Sequence, residues 1–217
     1  MNYSELKSHL EKQKVELVAV SKTKPIEEIK MLYDLGQRIF GENKVQEILA
    51  KAPLLPNDVK WHMIGHLQKN KVKSVLPSIE MIQSIDSIEL LEEVNKEAKK
   101  IDKTLNVLLE MKIAQEETKY GFEKSEMLNV LENYNSLLYS NIRICGLMGM
   151  ASFSDDETLV RNEFKSLKVL FDNVKSLIIN HNQDFKYLSM GMSGDYLLAI
   201  EEGSNMVRIG SLLFGVR

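Results

Sequence analysis

The stretch Val15-Glu16-Leu17-Val18-Ala19-Val20-Ser21-Lys22-Thr23-Lys24-Pro25 passes from a short apolar run to the start of a helix. Val15 to Val20 is apolar and rich in β-branched residues, which favours a buried strand over a helix. Pro25 fixes φ and suits a first helical turn. Between the two stands Lys22. Side chains alternate along a strand, so Val18, Val20 and Lys22 share one face. A lysine on the apolar face of a buried strand is costly as a cation unless it is paired. Burial, or a second cation such as Lys24, lowers a lysine's pKa, and a neutral amine is a nucleophile toward carbonyls. The plainer reading is a lysine that has left the strand and is solvated, and this stretch fits it equally well.

The composition bounds the function classes. The chain has 217 residues, enough for one sizeable core. Its 44% hydrophobic and 27% charged residues are ordinary for a globular protein. A formal net charge of −3, with lysines interleaved among glutamates, gives no footprint for nucleic acid. Cys145 is the only cysteine, so an intrachain disulfide and a Cys-rich metal site are both excluded. Met1 to Lys14 is polar and has no signal-peptide core, and no apolar run is long enough for a bilayer. A cytoplasmic protein without a membrane partner is the expectation.

Strands are expected at 15–22, 38–41, 59–64, 79–85, 105–112, 142–150, 185–190 and 206–210. Helices are expected between them at 26–35, 42–51, 69–76, 87–100, 125–134, 155–180 and 193–201, with a final turn at 211–214. An extra amphipathic helix over 3–13 precedes the first strand, with Leu6 and Leu10 on one face. Alternation of this kind implies a parallel sheet with helical crossovers. Eight repeats predict an α/β fold, a single (β/α)8 TIM-type barrel, with an open doubly wound sheet as the runner-up. No linker or shift in composition divides the chain, so residues 1–217 are expected to form one domain.

In such a barrel the active site lies at the C-terminal ends of the strands. The polar residues there are Lys22, Glu42, Asn43, His66, Gln68, Ser84, Asp86, Glu110, Lys112, then Ser189 to Asp195, and finally Arg208 to Ser211. Ser189 to Gly194 is small and flexible and runs into a helix start, where free N–H groups bind phosphate. Ile209-Gly210-Ser211 offers the same chemistry beside it. Either stretch alone could be only a tight turn; two at neighbouring strand ends favour phosphate. An amine, an anion cradle and an arginine suggest a phosphorylated aldehyde or ketone held as an imine. Pyridoxal 5′-phosphate fits, with Arg208 as the partner of its ring nitrogen. Arg208 in a surface ion pair is the plainer alternative.

Ala19-Val20-Ser21-Lys22-Thr23-Lys24, Phe40-Gly41-Glu42-Asn43, Trp61-His62-Met63-Ile64-Gly65-His66-Leu67-Gln68, Gly146-Leu147-Met148, Ser189-Met190-Gly191-Met192-Ser193 and Val207-Arg208-Ile209-Gly210 occur in this order. The set resembles the pyridoxal phosphate homeostasis protein family, the YggS- or PROSC-like proteins, over almost the whole chain. The resemblance implies an alanine-racemase-like barrel that binds pyridoxal 5′-phosphate and acts in vitamin B6 homeostasis, with no established turnover. It makes Lys22 the imine lysine, puts Asn43 beside the cofactor ring, and gives Ser189, Ser193, Gly210 and Ser211 to the phosphate. Arg208 faces the pyridine nitrogen, and Met148 and Gly191 complete the expected cofactor-binding set. A monomer is expected, with PLP-dependent apo-enzymes as recipients of the cofactor. His66 stands where the family often has proline, and Tyr120 lies in a loop that often has a small residue there.

Two enzymes compete with a cofactor carrier. A racemase needs two bases on opposite faces of the α-carbon. In alanine racemase a second domain supplies one of them, as a tyrosine. Here the chain stops directly after the eighth strand, so no such domain is expected, and Tyr120 and Tyr196 are the tyrosines available to replace it. A lysine-imine aldolase would use a carboxylate such as Glu110, Asp86 or Glu42. Arginine stays charged and cannot take a proton from the pyridine ring, so the ring is expected to stay neutral and to be a weak electron sink.

Overall fold

The structure is a computed structural model that describes residues 2–114, 120–132, 139–178 and 184–215. Eight parallel strands hydrogen-bond in sequence order and close on themselves. They are β1 (Glu16–Val20), β2 (Ile39–Glu42), β3 (Lys60–Met63), β4 (Met81–Ile85), β5 (Leu105–Met111), β6 (Ile142–Gly149), β7 (Tyr187–Met192) and β8 (Met206–Ile209). The barrel expected from the alternation is therefore the fold, and the open sheet is not. Around it lie α1 (Tyr3–Lys12), α2 (Ile26–Asp34), α3 (Val45–Lys51), α4 (Lys69–Val75), α5 (Ile88–Lys100), α6 (Lys124–Glu132), α7 (Glu157–Ile178), α8 (Tyr196–Glu201) and α9 (Ser211–Phe214). Among the described residues, no helix is long and apolar enough to cross a membrane.

Local chemistry accounts for the element ends. Asn2 caps α1 in a reciprocal box with Glu5, and Ser87 caps α5 by accepting from the Leu90 N–H. The extra helix α1 buries Leu6 and Leu10 against Leu17, Val207 and Ile209, so it covers the outside of β1 and β8. Strand β1 ends at Val20, two residues short of the expected end, because Thr23 turns the chain through φ +65°. Helix α3 starts at Val45, not Glu42, since Glu42 still pairs with Met63 in the sheet. Phe185 and Lys186 fall outside β7, where Phe185 stacks on Phe171 at 5.1 Å. The expected helix ends at 134 and 180, and Thr118 and Lys119, lie outside the described residues.

Alternation divides each strand between two cores. Leu17, Ala19, Trp61, Met63, Ile82, Leu109, Leu147 and Leu188 face the helices. Val18, Met81, Leu108, Cys145, Met148 and Met206 fill the barrel interior. Strand β6 carries a bulge: Val107 pairs with Ile144 but Leu108 pairs with Gly146. Gly146 sits there at φ +153° with β7 hard against it. Register also shifts between Ile82 and Ile85 where β4 meets β5, and between Ser189–Met206 and Met192–Arg208 on β7 and β8. Such shifts re-aim side chains along a strand.

Candidate functional site at the barrel mouth

The inward files of β1 and β8 climb side by side. Val18 pairs with Arg208, and above them come the next inward residues, Val20 and Gly210, where a Cβ added to Gly210 would meet Val20 at 3.4 Å. Above these opens a cavity of about 490 Å³, lined by Lys22, Asn43, Met150, Ser193, Arg208 and Gly210 among others. That is the size of a small-molecule site, and it lies at the C-terminal end of the strands, as barrel sites do.

Lys22 is half-buried on the cavity wall. Among the described residues its amine makes no hydrogen bond or ion pair. Lys24 also borders the cavity, but its ammonium donates to the Phe214 carbonyl at 2.6 Å and pairs with Glu28 at 3.4 Å. Of the two lysines, Lys22 therefore has the free amine. Asn43 follows β2, and its carbonyl packs so closely on Gly65 that a Cβ there would lie 2.6 Å from it. This fixes the exits of β2 and β3 against each other.

Arg208 is buried to 3% exposure. It donates to the Ser189 carbonyl at 2.9 Å, the Ser189 hydroxyl at 2.7 Å and the Gly149 carbonyl at 3.1 Å. A guanidinium has five N–H donors. The others meet no protein acceptor among the described residues, and the side chain borders the cavity. The Ser189 hydroxyl in turn donates to Gln83 Oε1 at 2.7 Å, and Gln83 Nε2 lies 2.9 Å from His62 Nδ1. This buried file runs from the cavity floor to the barrel centre and holds the arginine in one rotamer. Burial drives His62 down to about 3, so its ring is neutral and accepts the amide proton. Burial also lowers Arg208, to about 10, which still leaves it cationic at neutral pH.

The loops after β7 and β8 supply small donors. The Gly210 N–H donates to the Ser193 hydroxyl at 3.1 Å, tying the two loops together. The N–H groups of Ser193, Gly194 and Ser211 have no protein acceptor among the described residues, and all three residues border the cavity. Unpaired N–H groups that converge from two loops suit an anion.

Glu110 lies inside the mouth at 3% exposure. Burial raises its carboxyl to about 8, against the pull of Arg208 and with a further push from Asp86. At pH 7 Glu110 is therefore mostly neutral, and Arg208 remains the cation of the cavity floor. The folded state keeps a proton that the unfolded chain loses above the ordinary carboxyl value of 4.5, so this group's contribution to stability falls from about pH 4.5 to about pH 8. Glu110→Gln is expected to remove that slope. Urea unfolding should find the variant gaining on the wild type by on the order of a few kcal/mol between pH 5 and pH 9, since each tenfold difference in proton affinity between the two states is worth ~1.4 kcal/mol. An equal difference at both pH values would show that Glu110 titrates normally.

On the rim His66 Nδ1 lies 2.7 Å from Asp86 Oδ2, and the His66 ring stacks on Tyr120 at 4.0 Å. Tyr196, the other tyrosine weighed as a second base, packs its ring with Leu6 and Leu10 outside the barrel. Of the expected residues, Lys22, Asn43, Ser193, Arg208, Gly210 and Ser211 all border the cavity. Ser189 lies a layer deeper, under Arg208, and not among the loop donors. Met148 is fully buried in the barrel core, and Met150, two residues on, borders the cavity in its place. Gly191 has φ +95°, and a Cβ there would lie 2.6 Å from Ala199, so its role is to let α8 close on β7. His62 and Gln83 were not expected. A histidine and a glutamine at inward positions of otherwise apolar strands were their only signal.

The family model for "Alanine racemase, N-terminal domain" matches residues 1–217, and the chain belongs to that family of barrels. Within it the chain is 40% identical over 202 residues to the pyridoxal phosphate homeostasis protein of Aquifex aeolicus, covering 93% of this chain and 86% of that one. The human protein of the same name is 40% identical over 212 residues, covering 93% of this chain and 76% of that one. PipY of Synechococcus elongatus, solved without PLP, superimposes with a TM-score of 0.88 at 31% identity, covering 97% of this chain and 99% of that one. PipY has also been solved with PLP bound. The chain is a member of the pyridoxal phosphate homeostasis protein family.

Proposed function

We propose that this chain binds pyridoxal 5′-phosphate in the barrel-mouth cavity and holds it for use elsewhere, as a cofactor carrier and not as an enzyme. One observation carries the reading: a free lysine amine, a buried arginine with spare donors and unpaired N–H groups from two loops border the same cavity. The donor set matches the cofactor. Lys22 would serve as the nucleophile for its aldehyde, the N–H groups of Ser193, Gly194 and Ser211 would take its phosphate, Arg208 would donate to its ring nitrogen, and Asn43 would border its ring. Bound there, the cofactor supplies an electrophilic carbon and a ring that stores electron density. Arg208 stays protonated, so it donates to the ring nitrogen and cannot protonate it. That keeps the ring a weak sink, which suits holding over turnover. The name carried by the relatives, a homeostasis protein, supports the same reading. We read residues 1–217 as one cofactor-binding domain of a cytoplasmic monomer, with PLP-dependent apo-enzymes as recipients.

Gly210→Val tests the cradle. A Cβ at Gly210 would meet its nearest neighbour, the Val20 carbonyl, at 3.4 Å, which is ordinary contact, so the Cβ itself fits. The valine branches then crowd the loop donors. Titration of the purified variant should show affinity for pyridoxal 5′-phosphate falling far more than affinity for pyridoxal. Equal losses would remove the phosphate from these loops.

A further inference from the structure

Behind Lys22, on the face of the sheet away from the cavity, lies an ionic cluster. Glu42 is fully buried, and its Oε1 accepts from the Ser21 hydroxyl at 2.6 Å. The Lys51 ammonium donates to Glu42 Oε1 at 2.8 Å, to Glu47 Oε2 at 2.7 Å and to the Ser21 carbonyl at 2.9 Å. An ammonium has three N–H bonds, so Lys51 is saturated. Glu47 Oε2 also accepts the Thr23 N–H at 2.6 Å. The residues on either side of Lys22 are thus gripped by side chains of one cluster.

Thr23 gives the grip a purpose. Its φ of +65° lies in the left-handed region, which a β-branched residue adopts only under strain. Such a conformation persists only where its surroundings over-determine it. Here the N–H bond to Glu47 holds it from α3. On the other side of the same turn, the Lys24 N–H bonds to the Ser21 carbonyl at 3.0 Å. The turn takes the chain out of β1 directly beside Lys22, so holding the turn also holds the Lys22 backbone at the cavity wall. Burying Glu42 outright and Lys51 nearly so to secure the residues beside Lys22 is expensive, and a loop that only connected β1 to α2 would not need it.

We infer that Glu42, Lys51 and Glu47 form a clamp that positions Lys22 for covalent attachment of its ligand, in which the neutral amine nitrogen bonds to the aldehyde carbon and the carbonyl oxygen leaves as water with the two amine protons. They are positioning residues: they act through Ser21 and Thr23 and touch neither cavity nor ligand. The inference rests on the reading of Lys22 as the attachment point.

Glu47→Gln is the first variant, because Glu47 is partly exposed and the substitution keeps its shape. Lys51→Met and Lys51→Arg form a second pair. Three measurements apply to each protein. The first is the rate at which pyridoxal 5′-phosphate attaches to Lys22. The second is the equilibrium binding of 4′-deoxypyridoxine 5′-phosphate, which has the ring and phosphate but no aldehyde. The third is the pH profile of Lys22 arylation by trinitrobenzenesulfonate in protein free of cofactor, mapped by peptide mass. A clamp predicts that Glu47→Gln slows attachment about 10–100-fold, the scale of a misplaced reacting group. It also predicts a shifted arylation profile and unchanged binding of the deoxy compound, with Lys51→Arg restoring most of what Lys51→Met loses. Lys51→Met tests this only if it folds, whereas Glu47→Gln tests it alone. Unchanged attachment and arylation in folded Glu47→Gln, or parallel losses for both ligands, would overturn the clamp. Wild-type protein that forms no adduct on Lys22 would instead overturn the reading of the site, and the clamp with it.

Discussion

Lys22→Ala is expected to abolish covalent attachment of pyridoxal 5′-phosphate altogether while leaving the protein folded and able to bind the cofactor weakly. Three features set this result. The Lys22 amine makes no hydrogen bond or ion pair among the described residues, so its loss breaks no structural contact. A substitution of that kind changes stability by only about 0.5 kcal/mol or less. The N–H groups of Ser193, Gly194 and Ser211 and the guanidinium of Arg208 all remain. No neighbouring amine takes over, since Lys24 is held by the Phe214 carbonyl and Glu28. Visible absorbance on titration reads the covalent form, and equilibrium dialysis reads total binding. A variant that still formed the adduct would place the attachment point elsewhere.

Gly146→Ala is expected to have the largest effect on folding. A Cβ at this position would sit 1.8 Å from the Tyr187 carbonyl oxygen and 2.7 Å from its carbon. These are backbone atoms of β7 and cannot swing aside as a side-chain end can. At φ +153° the residue also occupies a conformation that an L side chain rarely adopts. Accommodation would require β7 to part from the β6 bulge, the junction that sets the depth of Ser189 beneath Arg208. A loss above about 4 kcal/mol, or failure to fold, is the expected outcome. Gly36→Ala is the control: its φ of +97° is strained too, but nothing lies within 4 Å of its Cβ. Denaturant titration of the two variants separates strain from collision. Equal and modest losses would mean that the bulge yields easily.

The barrel was legible in the sequence because each parallel strand is buried on both faces and reads as an apolar run between helical patterns. Lys22 and Arg208 were legible for a related reason. Each is a cation at an inward position of such a run, and two-residue alternation carries its side chain to the mouth. What alternation could not show was the register shifts, two of which bear on the expected site residues. On β7 the shift between Ser189 and Met192 leaves Ser189 beneath the arginine and turns Met192, not Gly191, to the cavity. On β6 the bulge at Gly146 precedes Met148, and depth along the barrel then separates Met148 from Met150. The Gln83–His62 file was hidden because it joins residues from β3, β4, β7 and β8, whose heights depend on barrel stagger. Glu42 looked like a mouth residue, yet it points outward and meets Lys51, nine residues on and on the next helix.

The central claim is that Lys22 is the residue to which pyridoxal 5′-phosphate attaches. Borohydride reduction of the cofactor-loaded wild-type protein, followed by proteolysis and fragment-ion mass mapping, tests it most directly. The structure predicts the reduced pyridoxyl group on Lys22, with Lys24 unmodified. A label on Lys24, or protein left unlabelled after loading and reduction, would contradict it.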